Sequence, residues 1–337
     1  MNALEQRLLN DYQRDFPLSP EPFSDIAAQL GSDPRTVLST LRALSEAGVL
    51  SRVGPVFRPN AIGVSTLAAM AVPAHDLQRV ADIVSRCPEV NHNYEREHRF
   101  NLWFVATAED REALARTLES IERETGYPLL SLPMLREYHI DLGFHLHRAR
   151  GVRPHSTGSD EIRSGAQSGS ASGSSDEKLI EAIQLGLPLV EHPYRAAGER
   201  VGISEQAVLK GIRSMQSSGA IKRFGVVVRH HELGYRANAM VVWDVAADRV
   251  DILGRELGGI ECVTLCYQRP RQLPEWRYNL FTMIHGKDRE EVLRCIGEIV
   301  TSLDLQETPH EVLFSKRQFK QRGARYRGNG GGSSPVH

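Results

Sequence analysis

The chain carries one sequence twice. Pro17, Gly31, Arg42, Gly48, Arg52, Gly54, Arg58 and Gly63 recur 171 positions later as Pro188, Gly202, Arg213, Gly219, Arg223, Gly225, Arg229 and Gly234. A single ungapped offset with glycines and prolines in register means two copies of one fold rather than an array of short repeats. Within 337 residues each copy has room to bury its own core. Positions that differ between the copies are therefore where function should show.

Each copy opens with helical patterning. Leu4, Leu8 and Leu9 mark a first helix, Phe23, Ile26, Ala27 and Leu30 a second, and Val37, Leu38, Leu41 and Leu44 a third. Gly31 and Gly48 fall where the second and third helices should stop, and Ser32-Asp33-Pro34 supplies a cap with proline in the first turn. Three short helices followed by the β-type run Val49 to Phe57 describe a winged helix-turn-helix, repeated from Glu177 to Val228. Strands and helices then alternate. The first copy reads as strand 64–72, helix 76–86, strands 88–95 and 100–107, helix 109–123 and strand 134–145. The second reads as strand 236–245, helix 248–257, strands 260–267 and 277–285, helix 288–301 and strand 309–316. That order, βαββαβ, is ferredoxin-like. The expected fold is thus α+β, two tandem copies of a winged helix-turn-helix (1–60 and 176–230) plus a ferredoxin-like domain (61–149 and 231–326). A Ser/Gly-rich tether at 150–175 and a Gly-rich tail at 327–337 lack the apolar residues needed to order themselves.

Composition narrows the classes. No apolar run approaches the roughly 18 residues of a membrane span, and Glu5 and Asp11 interrupt any signal-peptide reading, so a cytoplasmic protein is expected. Cys87, Cys262, Cys266 and Cys295 lack C-x-x-C spacing, and reduced core thiols are expected rather than disulfides or a zinc site. His139, His145 and His147 share a strand face, but nothing completes a metal set beside them.

The architecture resembles the Lrp/AsnC regulators, which would imply a transcription factor. The segment HNYEREHRFNLWF (His92 to Phe104), however, is similar to one subunit of the siroheme decarboxylases. RFGVVVRHHELGYRANAMVVWDV (Arg223 to Val245), LCYQRPRQLPEWRYNLFTMIHG (Leu265 to Gly286) and LFSKRQFKQRGARY (Leu313 to Tyr326) resemble the other subunit. The resemblance covers nearly the whole chain outside tether and tail, as a fusion of the two subunits. It implies conversion of two siroheme acetates to methyl groups, giving 12,18-didecarboxysiroheme on the way to haem d1. It also implies no cofactor beyond the siroheme substrate, and two halves that associate through their sheets as a pseudo-dimer, with further homo-oligomerisation open.

Decarboxylating a pyrrole acetate leaves charge on a methylene that must be reprotonated, so the site needs a positioned acid and groups that orient carboxylates. His92, Tyr94, Arg96 and His98 alternate along a predicted strand and should share one face. His98, inside the family-like motif, is the first expectation for proton donor and His92 the second; a merely solvated strand face is the plain alternative. The second copy keeps Tyr267 and Arg269 but has Leu265 in place of His92, and it adds Arg271, Trp276 and Tyr278 near an insertion. Siroheme carries eight carboxylates, for which arginine forks are suited. Arg52, Arg58, Arg223 and Arg229 in the two wings join Arg269 and Arg271 as expected partners, with Trp276 and Tyr278 against the macrocycle or in the core. His230 and His231 could supply a second acid, and they and His98 are the histidines considered as ligands to the iron.

Two rivals remain open at this point. A DNA-binding regulator would use the helix-turn-helix, yet residues 1–60 hold six Lys/Arg against seven Asp/Glu and residues 176–235 eight against seven, which argues against a phosphate-binding footprint. A non-catalytic tetrapyrrole binder would need the same arginines but no acid.

Overall fold

The computed structural model describes residues 1–58, 61–140, 174–228 and 237–322. In the first half, helices α1 (Ala3–Asp11), α2 (Pro22–Leu30) and α3 (Pro34–Glu46) precede strand β1 (Leu50–Phe57). The sequence signals operate as written: the Asp33 carboxylate accepts from the backbone N–H groups of Arg35 and Thr36 at 2.9 and 3.0 Å, and Gly31 ends α2 with φ +64°. The second half repeats this with α6 (Ser174–Ile183), α7 (Pro193–Glu199), α8 (Glu205–Ser217) and β7 (Ile221–Val228). Of the expected tether only residues 174 and 175 are described, and they begin α6.

The wing is shared. β1 pairs antiparallel with β7, so each copy supplies one strand of a single ribbon, and the two helical modules bury one joint core containing Leu8, Leu41, Val208 and Phe224. Glycines permit the close approach, since a Cβ at Gly225 would collide with the backbone of Tyr12 and Gln13. Arginines hold it from outside. Arg42 of α3 donates to the Leu189 carbonyl at 2.7 Å, and its counterpart Arg213 of α8 donates to the Leu18 carbonyl at 2.6 Å.

Below the wings, β2 (Val64–Met70), α4 (Leu77–Arg86), β3 (Val90–Arg96), β4 (Leu102–Ala108), α5 (Arg111–Thr125), β5 (Leu129–Pro133) and β6 (Arg136–Ile140) make the first sheet half. The second comprises β8 (Ala237–Trp243), α9 (Val250–Gly258), β9 (Val263–Gln268), β10 (Leu280–Gly286), α10 (Arg289–Ser302) and β11 (His310–Gln321). Both follow the expected βαββαβ order. The expected strand 134–145 appears as β6, preceded by a strand the sequence reading did not expect, β5, and residues 141–145 lie outside the described part.

The halves are interlocked rather than merely apposed. β11 pairs with β8 through His310–Phe314 and then continues across the boundary to pair with β3 from Ser315 to Gln321, while β6 of the first half pairs with β9 of the second. The nine strands run β5-β2-β4-β3-β11-β8-β10-β9-β6. Each crossing arm is seated on the other half's helix. Tyr138 and Arg136 both bind Asp251 of α9, where Gly254 leaves no room for a Cβ beneath the tyrosine ring. Lys320 donates to the carbonyls of Ser85 and Cys87 at the end of α4, at 2.6 and 2.8 Å, where a helix carries partial negative charge. This is the expected pseudo-dimer, made within one chain.

Helices α4 and α5 cover one face of the first sheet half, and α9 and α10 the same face of the second. The helix-free faces share a third core in which Leu67, Trp103 and Leu132 meet Met240, Phe281 and Leu313. Contacts between strands distant in the sheet order, such as Arg269 beyond β9 with Leu132 of β5, show that the sheet curls almost into a barrel.

One sequence expectation fails outright. Cys262 and Cys295 form a disulfide between the start of β9 and α10, so only Cys87 and Cys266 are free thiols. Spacing along the chain could not reveal this, because the sulfurs are 33 residues apart in sequence and meet only when α10 packs on its sheet. Among the described residues no helix is long and apolar enough to cross a membrane.

Candidate active site

Alternation along β3 sends Asn93 toward α4, where its amide donates to the Ala81 carbonyl at 3.1 Å. His92, Tyr94 and Arg96 therefore lie on the helix-free face, as expected from period two. The His92 and Tyr94 rings are near-parallel, 15° apart with centroids at 6.4 Å. Arg52, on the wing strand β1, donates to the Pro55 carbonyl at 3.1 Å, and its positive charge acts on His92. Burial pushes the His92 imidazole down to about 4, with the positive charge of Arg52 acting in the same direction. Tyr94 is displaced oppositely, its phenol raised by burial. A guanidinium, a neutral imidazole and a protonated phenol are thus gathered where the wing meets the sheet.

Arg96 does something else. It is buried, donates to the Leu313 carbonyl of the other half at 3.1 Å, and lies 5.8 Å from the Tyr94 ring centroid. Burial lowers its pKa to about 10, which leaves it charged at neutral pH. Arg269 mirrors it, donating to the Leu132 carbonyl with its guanidinium 4.6 Å over the Tyr267 ring.

His98 is not on that strand face. β3 ends at Arg96, whose N–H bonds to the Asn101 carbonyl at 2.8 Å to close a tight β3–β4 connection, and His98 lies in that connection. Its Nδ1 accepts from the Phe100 N–H at 3.0 Å, which fixes the remaining proton on Nε2, 2.7 Å from Glu311 of the second half. The other oxygen of Glu311 accepts from the Tyr278 hydroxyl at 2.6 Å. With 10% of its side chain exposed, His98 is lowered by burial, while Glu311 pulls the other way. Both ring nitrogens are already engaged, so ligation of an iron through His98 would first have to break one of these contacts.

The other expected partners divide by environment. Trp276 is 1% exposed among Trp103, Phe100 and Phe281, in the core rather than against a macrocycle. Arg271 binds Asp244 and the Val245 carbonyl, tying its loop to the end of β8. Arg223 is buried and donates to the Gln13 and Val226 carbonyls at 2.7 and 3.1 Å. Arg58 is exposed at the end of β1, beside Gly219. Arg229, His230, His231, His145 and His147 lie outside the described residues; among those described, no group of three His, Cys, Asp or Glu could hold a metal. Glu311, which the sequence analysis passed over, could have been noticed only as a carboxylate on the inward face of a predicted strand.

Two ligand-binding ferredoxin-like units beneath a shared wing, with ionisable side chains at the junction, define a tandem protein of AsnC-like architecture. Residues 61–139 and 232–320 indeed match the AsnC-like ligand binding domain. Residues 5–50 and 176–221 match the siroheme decarboxylase NirDL-like HTH domain. The chain is 42% identical to the siroheme decarboxylase NirDL subunit of Paracoccus denitrificans, over 96% of this chain and 97% of that one. It superposes on the crystal structure of the siroheme decarboxylase NirDL with TM-score 0.69 at 28% identity, covering 96% of this chain and 94% of the other. A second crystal structure, of NirDL in co-complex with an iron-uroporphyrin III analogue, gives TM-score 0.66 at 28% identity, with 96% and 93% coverage. The chain belongs to the siroheme decarboxylase family.

Proposed function

We infer that this chain is a siroheme decarboxylase, a carboxy-lyase that turns two acetate side chains of siroheme into methyl groups in the synthesis of haem d1. Family membership supports the reaction, and the observation that carries the site is the stacking of His92 on Tyr94 on the helix-free face of β3. In each decarboxylation the bond between methylene and carboxylate breaks, carbon dioxide leaves, the electron pair stays on the methylene beside the pyrrole, and a proton closes the new C–H bond. The pyrrole itself delocalises that charge, so the reading requires no separate organic cofactor.

Arg52 orients a carboxylate and His92 delivers the proton. Without substrate the imidazole is neutral, since burial holds it near 4. Carboxylates of bound siroheme favour the imidazolium and oppose that depression, so the acid is generated by the substrate it serves. Tyr94, stacked alongside and keeping its proton, is a second donor to the same carboxylates. His98 is read as a bridge between the halves rather than the acid, because its Nε2 proton faces Glu311.

The regulator reading is weakened in the same structure. Arg42 and Arg213, one of the two cations on each third helix, are engaged with the Leu189 and Leu18 carbonyls of the opposite copy, which leaves Arg35 and Lys210 exposed for phosphate contacts. Anaerobic incubation of the purified protein with siroheme should give a pigment lighter by two carbon dioxide units, through a singly decarboxylated intermediate. Recovery of unchanged siroheme from a pigment-loaded protein would leave only the non-catalytic binder. A steep salt-dependent affinity for one duplex sequence would restore the regulator.

A further inference from the structure

The helical modules and the curled sheet are folded as two bodies. Helices α1–α3 and α6–α8 share one core with the β1–β7 ribbon, the sheet and its helices are filled by three others, and no hydrophobic cluster contains residues of both bodies. Among the described residues, no helix or strand of the first body packs along a helix or strand of the second. The chain itself crosses between them after β1, β6 and β7. Bodies joined by a few passages of chain and little apolar contact move relative to one another unless something pins them.

One corner is pinned. Lys222 of β7 reaches from the wing to Glu137 of β6 at 2.5 Å, the two side chains 33% and 27% exposed. Glu137 is the register partner of Tyr267, so this pin holds the wing over the second half. At the pseudo-equivalent corner the repeat puts Ser51 in place of Lys222, and Gln318 is the register partner of Tyr94 as Glu137 is of Tyr267. A short hydroxyl and an amide cannot form that ion pair. Arg52, next to Ser51, acts on His92, so the corner without a pin is the one above the stacked His92 and Tyr94 rings. Both rings are half-buried. A rigid macrocycle reaches them only when part of their cover moves, and the wing is the part of that cover not built into the sheet.

We propose that the winged helical module is a lid, which pivots on the Lys222–Glu137 corner and lifts at the Ser51–Gln318 corner to admit siroheme and release product. The proposal rests on the siroheme reading above and adds to it how the ligand enters and leaves. Sharing one ribbon and one core makes the six helices move as a unit. The exchange of Lys222 for Ser51 between the copies directs the opening to the half that carries the histidine.

The test bridges each corner in turn. The background is Cys87→Ser, in which the remaining free thiol, Cys266, is fully buried. Ser51→Cys with Gln318→Cys, or Lys222→Cys with Glu137→Cys, is joined by a short bis-maleimide, and the same chains blocked with N-ethylmaleimide serve as controls. Anaerobic uptake of siroheme is followed by absorbance, a readout independent of turnover. A bridge between Ser51→Cys and Gln318→Cys should abolish uptake while the blocked control still loads, and siroheme loaded before bridging should survive desalting. A bridge between Lys222→Cys and Glu137→Cys should leave uptake as in its control. Uptake past a bridged Ser51–Gln318 corner, or a block from either bridge alike, overturns the proposal. Thiols at the open corner that never bridge overturn it as well, since the lid requires them to face one another. A chain that takes up no siroheme in any form overturns the decarboxylase reading instead.

Discussion

Arg96 and Arg269 are exchanged between the halves: Arg96 donates to the Leu313 carbonyl of the second, and Arg269 to the Leu132 carbonyl of the first. Leu313 pairs with Met240 on β8 as Leu132 pairs with Leu67 on β2, so the two contacts are the same contact made twice. A guanidinium that desolvates to satisfy a carbonyl across a boundary fixes register as well as proximity.

Removing either arginine strands a buried carbonyl. Arg96→Leu and Arg269→Leu should each destabilise by about 1.5–3 kcal/mol, seen as a lower denaturant midpoint with little change in slope. Unaltered midpoints would mean that these contacts only accompany packing that Leu313 and Leu132 secure alone.

His92 should govern turnover and acid stability together. His92→Ala should retain pigment through Arg52 but lose on the order of a hundred- to ten-thousand-fold in turnover, as for a general acid. For stability the sign is set by the depressed pKa. Above about 6.5 both folded and unfolded states leave the ring neutral; between about 6.5 and about 4 the unfolded chain binds a proton that the folded chain refuses. Stability is therefore lost as pH falls through that window, by up to about 3 kcal/mol from this one group. Denaturation curves at pH 7 and pH 4 should show that loss, and His92→Leu, which copies the second half, should flatten it.

Glu311 should tune His98 without governing chemistry. Glu311→Gln keeps an acceptor for the Nε2 proton but removes the charge that opposes desolvation, so the His98 titration followed by NMR should move to still lower pH. His98→Ala should keep turnover within about tenfold, well short of the loss expected of a general acid. A loss as deep as that of His92→Ala, with pigment still bound, would transfer the acid role to His98.

Thiol counting should distinguish the cysteines. Under denaturing, non-reducing conditions two thiols should react, Cys87 and Cys266, rather than four. Reduction should cost about 3–4 kcal/mol, the loop-closure value for a separation of 33 residues. Four reactive thiols before reduction would return the cysteines to the state expected from sequence.

Sequence by itself determined much of this protein, and for local reasons. Caps such as Asp33, helix stops such as Gly31 and the alternation of β3 act within a few residues, so the three-helix modules, the βαββαβ order and the common face of His92, Tyr94 and Arg96 were all legible. The asymmetry between His92 and Leu265 was legible too, because a repeat provides its own comparison. Tertiary structure decided what depends on residues far apart in the chain. The period-two argument holds only while the backbone stays extended, and it failed at His98 because the chain turns after Arg96. No local signal shows that β11 will leave its own half after Phe314 to pair with β3, or that Arg42 and Arg213 will bind the opposite copy instead of facing solvent. Nor does any reveal that Trp276 will fill a core shared by both halves, that Cys262 will meet Cys295, or that Lys222 will close on Glu137. Those pairings are selected by which surfaces remain unburied once each half has folded, and that is a property of the assembled molecule rather than of any window of its sequence.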